Sequence, residues 1–398
     1  MSRVADNRLA ATTTRQPARP LASQPFLGLI DAVIVDEPVA FPFDGSVGRK
    51  HVEAAWTWVV RDLCPDILPG ADTGKLTSET FEAQIPQVLI RMRDGMEQGK
   101  DFELGRRLRA QLGSQEAQDR LPFVLNALRC RTLLDKAQAF GKATNTLSDD
   151  AALGAALQAM PLHDAPVAAL LLHAAVDQIG NPTRVVTTVL RLAGAGNEQA
   201  IQRVGFGPLV DAILAHAQNQ VHALQPMGPF ADIDLTCRAL DRFHKLVRSL
   251  TGYVEFARNS RWTMVLSTLT TQVSERIEPR LKDVVPDMNQ SLRKPREGTD
   301  RLDHDRLLSA LNGIYLLAAI RECRDSLALN ALFDQAWSQS GQALELHLNR
   351  NLELLRQNPD DQFVGVRLDA GIKMAEIRFN PDYAETLRRA RSAAERRI

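Results

Sequence analysis

Along most of the chain, apolar residues recur at every third or fourth position, the spacing that lines one face of an α-helix rather than one side of a strand. Val52, Ala55, Trp56, Val59 and Val60 predict a helix over His51–Leu63, with Pro65 and Pro69 as stops. A Thr/Ser/Glu start predicts another over Thr77–Gln98, in which Pro86 should kink or shift the backbone. Leu121, Val124, Leu125, Leu128, Leu133 and Leu134 predict a longer helix over Gln115–Ala143 with those six on its buried side. The exception comes earlier. Phe26–Phe41, carrying Ile30, Val33, Ile34, Val35 and Val39, leans toward β and reads as a strand or as an extended segment laid over the helical body, broken by Pro38 and Pro42. Residues 1–25 are rich in Ser, Thr, Arg, Pro and Ala without periodicity and predict a disordered tail.

Between residues 146 and 256 the punctuation becomes dense and the predicted helices short. Ser148 is placed to cap one helix, with Asp149 and Asp150 in its first turn, where acids meet the positive end of the helix dipole. Asp164 caps the next, Pro166 fits its first turn, and Gly180-Asn181-Pro182 ends it. That helix is apolar nearly all round, so it should be buried on most sides. Shorter units follow over Thr183–Leu192, Glu198–Val204 and Pro208–Ala223, then a helix over 232–252 with Leu235, Leu240, Phe243, Val247 and Leu250 inward. Val185–Ala223 resembles an armadillo-type repeat, which implies a stacked helical solenoid, but no second copy recurs at a fixed period.

The last third changes character. Trp262, Leu266, Leu269, Val273 and Ile277 alternate spacings of four and three, as in a coiled-coil seam. Leu307, Leu308, Leu311, Tyr315 and Ala318 mark one partner helix, and Phe333, Trp337, Leu344, Leu348, Leu352 and Leu355 a second. Met288–Asp300 reads as a polar loop between antiparallel neighbours, and Asn380-Pro381 starts a last helix with Tyr383, Leu387, Ala390 and Ala394 packed on the body. The fold class expected is all-α: a multi-helical array of short helices followed by long antiparallel helical hairpins, with a disordered N-terminal tail. Four regions result: the tail 1–25, a helical region 26–145 with one β-leaning segment, a short-helix array 146–256, and a long-helix bundle 257–398.

Composition narrows the function classes. Among 398 residues aromatics make up only 5%, too few for an all-β core or a base-stacking platform. The 48 basic and 48 acidic side chains balance, whereas a nucleic-acid binder carries a basic surplus, so no nucleic-acid partner is expected. Cys64, Cys130, Cys237 and Cys323 are scattered, without the paired spacing of a zinc site or redox motif, which suits a reducing compartment. The most apolar run, Ala165–Val176, stops at Asp177, short of the roughly 20 residues that cross a bilayer. A cytoplasmic protein without cofactor is therefore expected. The tail followed by the β-leaning stretch also has the layout of type III secreted effectors and secretion regulators, which would imply export without a signal peptide.

Candidate chemistry is thin. Gly70-Ala-Asp-Thr-Gly74-Lys75-Leu-Thr77 falls one residue short of a phosphate loop, and Leu76 separates Lys75 from the hydroxyl that should meet magnesium. His173 and Asp177, at i and i+4, could share a metal on one helix face, and His163-Asp164 lies just before. His51, His163, Asp164 and Asp211 occur in the order resembling helical metal-dependent phosphohydrolases, which implies a hydrolytic metal centre; Asp164 already serves as a cap. The expectation that leads is a non-enzymatic helical protein–protein interaction module, an adaptor, scaffold or regulatory subunit with a protein partner. A type III-like effector and a metal-dependent phosphohydrolase are the alternatives.

Overall fold

The computed structural model describes residues 24–71, 77–224, 232–294 and 302–396. Residues 1–23 of the expected tail, the near-phosphate loop's centre and part of the 288–300 segment lie outside them, whereas Gln24 and Pro25, expected in the tail, begin a helix. The chain is all-α, with sixteen α-helices among the described residues and one pair of two-residue strands. It forms two compact units, Met1–Asp36 with Val47–Arg131, and Glu37–Ser46 with Thr132–Ile398.

The first unit contains α1 (Gln24–Gly28), β1 (Ile34–Val35), β2 (Val47–Gly48), α2 (Arg49–Trp58), α3 (Ser78–Gln98), α4 (Phe102–Leu112) and the first half of α5 (Gln115–Thr144). The β-leaning stretch is mostly not strand. Phe26 sits in α1, Asp31–Val33 is a 3-10 turn, and only Ile34–Val35 pairs, in parallel, with Val47–Gly48. Phe26, Ile30 and Val33 are fully buried, and core packing overrides their β preference. Phe26 lies 5.0 Å from the Trp56 ring, and Trp56 meets Phe81 edge-on at 5.5 Å, so α1, α2 and α3 share one aromatic centre. α2 ends in a single π turn, Val59–Leu63, closed by Cys64 N–H to the Val59 carbonyl at 2.7 Å, before Pro65. Pro86 does not end α3: it is exposed, so the carbonyl that it leaves unpaired faces the solvent side.

The second unit begins with α5's last turns and continues through α6 (Asp150–Gln158), α7 (Ala165–Gln178), α8 (Pro182–Ala193), α9 (Glu198–Arg203), α10 (Gly207–Ala223) and α11 (Ile233–Thr251). The long helices follow: α12 (Arg261–Leu292), α13 (His304–Cys323), α14 (Asn330–Gln357), α15 (Gln362–Arg378) and α16 (Pro381–Glu395). Caps delimit them as side-chain chemistry dictates. Asp164, Asn181, Asn197, Asp232, Asp303, Asp361 and Asn380 each accept an amide hydrogen bond at their helix start. Asp149, not Ser148, caps α6, taking the Ala151 amide at 2.8 Å; both residue types can cap, and spacing alone leaves the choice open.

Three further corrections concern faces and ends. Leu133 and Leu235 point to solvent, because Leu134 and the Thr236/Ala239/Leu240/Phe243 face take the buried seats. α12 runs through the segment expected as a loop as far as Leu292. Met288 and Leu292 continue the seam of Leu281 and Val284, while Asp287 pairs with Arg280 at 2.6 Å and Asn289 with His347 at 2.9 Å. The hairpins are antiparallel as expected. Asp287 of α12 meets Ser309 of α13 at 2.8 Å and Gly313 faces Val284, while in α15 and α16 Asp369 pairs with Arg391 and Glu376 with Arg388.

Arginine holds many of these joints. Arg242 donates to the Val176 and Ile179 carbonyls at the end of α7 (2.6 and 2.5 Å), and Arg276 to Val221 and Leu224 at the end of α10 (2.8 and 3.3 Å). Arg184 reaches Leu147 and Thr144 at the end of α5 while pairing with Asp150 at 2.8 Å. A planar fork serves two carbonyls left open at a helix C-terminus, which an ammonium does less well. The excess of Arg over Lys thus has a use in this unit.

Candidate functional site

The residues that could have formed a metal centre do not come together in the second unit. His163 and Asp164 are exposed in the turn before α7, where the Asp164 carboxylate accepts the Val167 amide at 3.2 Å. His173, nine residues into α7, is buried, whereas Asp177 one turn later is exposed and bound by the Gln178 amide at 2.6 Å. The i,i+4 spacing is real, but burial of α7 ends at Val176, so the two groups face different media. Asp211 in α10 accepts from Trp262 Nε1 at 2.7 Å and Arg261 at 2.5 Å; burial pushes its carboxyl up while those two donors oppose the shift. In the first unit His51 lies 3.1 Å from Glu116. Burial lowers its imidazole below the ordinary histidine range, against the pull of that carboxylate. Among the described residues no three His, Cys, Asp or Glu side chains are placed to share a metal ion. Burial also pushes the thiols of Cys64 and Cys237 up to about 11 and that of Cys323 to about 12, so none supplies a thiolate near neutral pH.

His173 and Asp211 do meet one common feature, the segment Glu37–Ser46 laid over α7 and α10. Phe43 packs on the His173 ring at 5.5 Å, and His173 stacks on His216 of α10 with centroids 4.2 Å apart and planes within 21°. His216 Nε2 donates to the His173 carbonyl at 2.9 Å, while His173 Nδ1 is buried without a hydrogen-bond partner. Arg261 joins the Asp211 carboxylate to the Pro42 carbonyl at 2.9 Å. The Gln218 amide accepts from Ala40 N–H at 3.0 Å and donates to the Pro38 carbonyl at 3.4 Å; Glu37 pairs with His222 at 2.7 Å. A Cβ at Gly45 would collide with the Phe43 ring and the Ala169 carbonyl, so only glycine lets the segment lie this close. The sequence signal for this seat is the aromatic–Pro–aromatic run Phe41-Pro42-Phe43, which two prolines make easy to read as a mere break.

The second feature is an open surface. α7 is apolar nearly all round, and α13 is so from Leu307 to Ile320 apart from Ser309 and Asn312, the mark of a helix enclosed on every side. α7 obeys, with every residue from Ala168 to Val176 buried. α13 does not. Its inner stripe, Leu307, Ala310, Ile314, Leu317 and Ile320, is buried against α12, α11 and α15, but a second stripe faces water. Leu308 is 42% exposed and Tyr315 37%, with Leu311, Ala318 and Ala319 partly covered between and beyond them. Four of the five residues expected as the packed seam lie on this outer stripe; only Leu307 is fully buried. Both stripes repeat at three and four, so periodicity could not choose between them.

Comparison of the chain with protein-family models, curated proteins and solved structures finds no match. No described helix is long and apolar enough to cross a membrane.

Proposed function

We propose that the chain is a non-enzymatic helical interaction module, an adaptor, scaffold or regulatory subunit, and that a partner protein's amphipathic helix docks along the outer face of α13. One observation carries the reading. The Leu307–Ile320 stretch of α13 is apolar apart from Ser309 and Asn312, and although α11, α12, α14 and α15 pack on this helix, Leu308 and Tyr315 of the outer stripe Leu308–Leu311–Tyr315–Ala318 stay exposed. Its three-four-three spacing is that of a helix–helix seam, the form in which an amphipathic helix reads a partner. Covering the exposed parts of Leu308 and Tyr315 would contribute on the order of 1 kcal/mol each, enough to anchor a contact supplemented at its rim.

The test is a matched set of full-length variants used as bait in the native cell. Leu308→Glu with Tyr315→Glu should abolish capture of a partner that wild type retains, with an unchanged thermal melt. Leu346→Glu, on α14 at a side chain 67% exposed, should leave capture intact. Equal capture by the α13 double variant and wild type would refute the reading. The alternative of a metal-dependent phosphohydrolase has no assembled ligand set among the described residues to support it.

A further inference from the structure

The seat of Glu37–Ser46 is a second device, independent of the α13 surface. Its centre is two stacked imidazoles with Phe43 on top, and both rings belong to the buried core: His173 is 2% exposed and His216 6%. Neutral, they pack as aromatic discs. Charged, they would be two buried cations with centroids 4.2 Å apart beneath the Phe43 ring.

We propose that Glu37–Ser46 is an acid-released strap: protonation of the His173–His216 pair unseats Phe41–Gly45 from α7 and α10 while Glu37 remains against His222.

Every charged or titratable group around the pair bears on this. From α7 itself Asp177 favours a charge on His216, but it is exposed and already engaged by Gln178. From α11 the Arg242 guanidinium opposes such a charge. From α10 come His216 and His222, and from α12 Arg261, whose charge is matched by Asp211; from the strap, Asp44 acts on Asp211 and Glu37 on His222. The His173 carbonyl and Asp177 favour a charge on His216, but burial outweighs both, and His173 Nδ1 has no hydrogen-bond partner. Burial is the dominant cause that holds both imidazoles below the ordinary range, His173 the further.

The sign follows. A histidine whose folded value is depressed takes up its proton more readily once released, so the strap is held fully above about pH 6.5 and loosens as pH falls below it. The Glu37 end is held by contacts that involve neither stacked ring: the Glu37 carboxylate lies 2.7 Å from His222, and Gln218 bonds Pro38 and Ala40. Release therefore starts at Phe43 and leaves one end tethered. It bares an apolar seat of His173, Ala169 and Phe43's former contacts without unfolding the helices beneath.

The experiment is hydrogen exchange by mass spectrometry on the full chain, stepped from about pH 7.5 to about pH 5, with rates corrected for intrinsic pH dependence. The expected result is that peptides over residues 39–46 lose protection by about tenfold or more across this range while α12–α14 keep theirs. The double variant His173→Phe/His216→Gln, which keeps a disc and a donor without a titrating ring, should flatten that step. Phe43→Leu keeps both histidines and weakens the seat, so its step should move to higher pH; it reads the idea even if the double variant fails to fold. Unchanged protection over 39–46 in acid, simultaneous opening of strap and helices, a step that survives in the double variant, or a step that Phe43→Leu does not move would each overturn the proposal.

Discussion

The two stripes of α13 can be told apart by paired truncations on one helix. Ile314 is 1% exposed and Leu308 42%, and the two side chains have the same number of carbons. Ile314→Ala removes about three methyl or methylene groups from the core at about 0.8 kcal/mol each. The cavity left in the core adds to this, for a total of about 3–4 kcal/mol. Leu308→Ala removes the same atoms from a position where nearly half are already hydrated, which costs less than about 1 kcal/mol. Alanine slightly favours the helix in both, so propensity does not create the contrast. In a urea titration followed by circular dichroism the first change should lower the midpoint by about 1 M or more and the second by a small fraction of that. Equal losses, or a larger loss at Leu308, would show that the outer stripe is core and that the docking face is misassigned.

Two shorter predictions test the joints. Arg242→Met keeps the apolar stem but strips the Val176 and Ile179 carbonyls of their donors, and should cost about 2–3 kcal/mol; Arg242→Lys should recover only part, since an ammonium lacks the fork that reaches both, and chemical denaturation checks each. Asp149→Ala should cost about 1 kcal/mol through loss of the α6 cap, whereas Ser148→Ala should change the melt negligibly.

How far residues alone lead can be read from these same places. Helix spans were legible wherever caps and 3.6-residue periodicity agreed: Asp164-x-Pro166 and Asn380-Pro381 mark helix starts that the structure contains. They failed where two readings were physically degenerate. Ser148 and Asp149 are both good caps, and the two stripes of α13 are both apolar at seam spacing. Asn289 and Gln290 look like loop residues, yet α12 runs through both and His347 partners Asn289. Phe26–Val33 has strand composition, yet its large side chains serve a helical core better when wound than when extended. The strap was the least legible feature. Phe41, Phe43, His173 and His216 are far apart along the chain, and the chemistry of a stacked imidazole pair exists only once α7 and α10 lie side by side. The His/Asp set shows the converse: sequence order suggested convergence, while burial of His173 and exposure of Asp177 separate two residues one turn apart.

The central claim is that a partner covers the outer face of α13, and hydroxyl-radical footprinting of Tyr315 tests it most directly. Tyr253, 48% exposed at the end of α11, provides an internal reference in the same molecule. The account predicts that both tyrosines are oxidised in the purified chain, and that in the assembly isolated from the native cell Tyr315 is protected several-fold while Tyr253 is not. Oxidation of Tyr315 at the same rate relative to Tyr253 in both samples would contradict it.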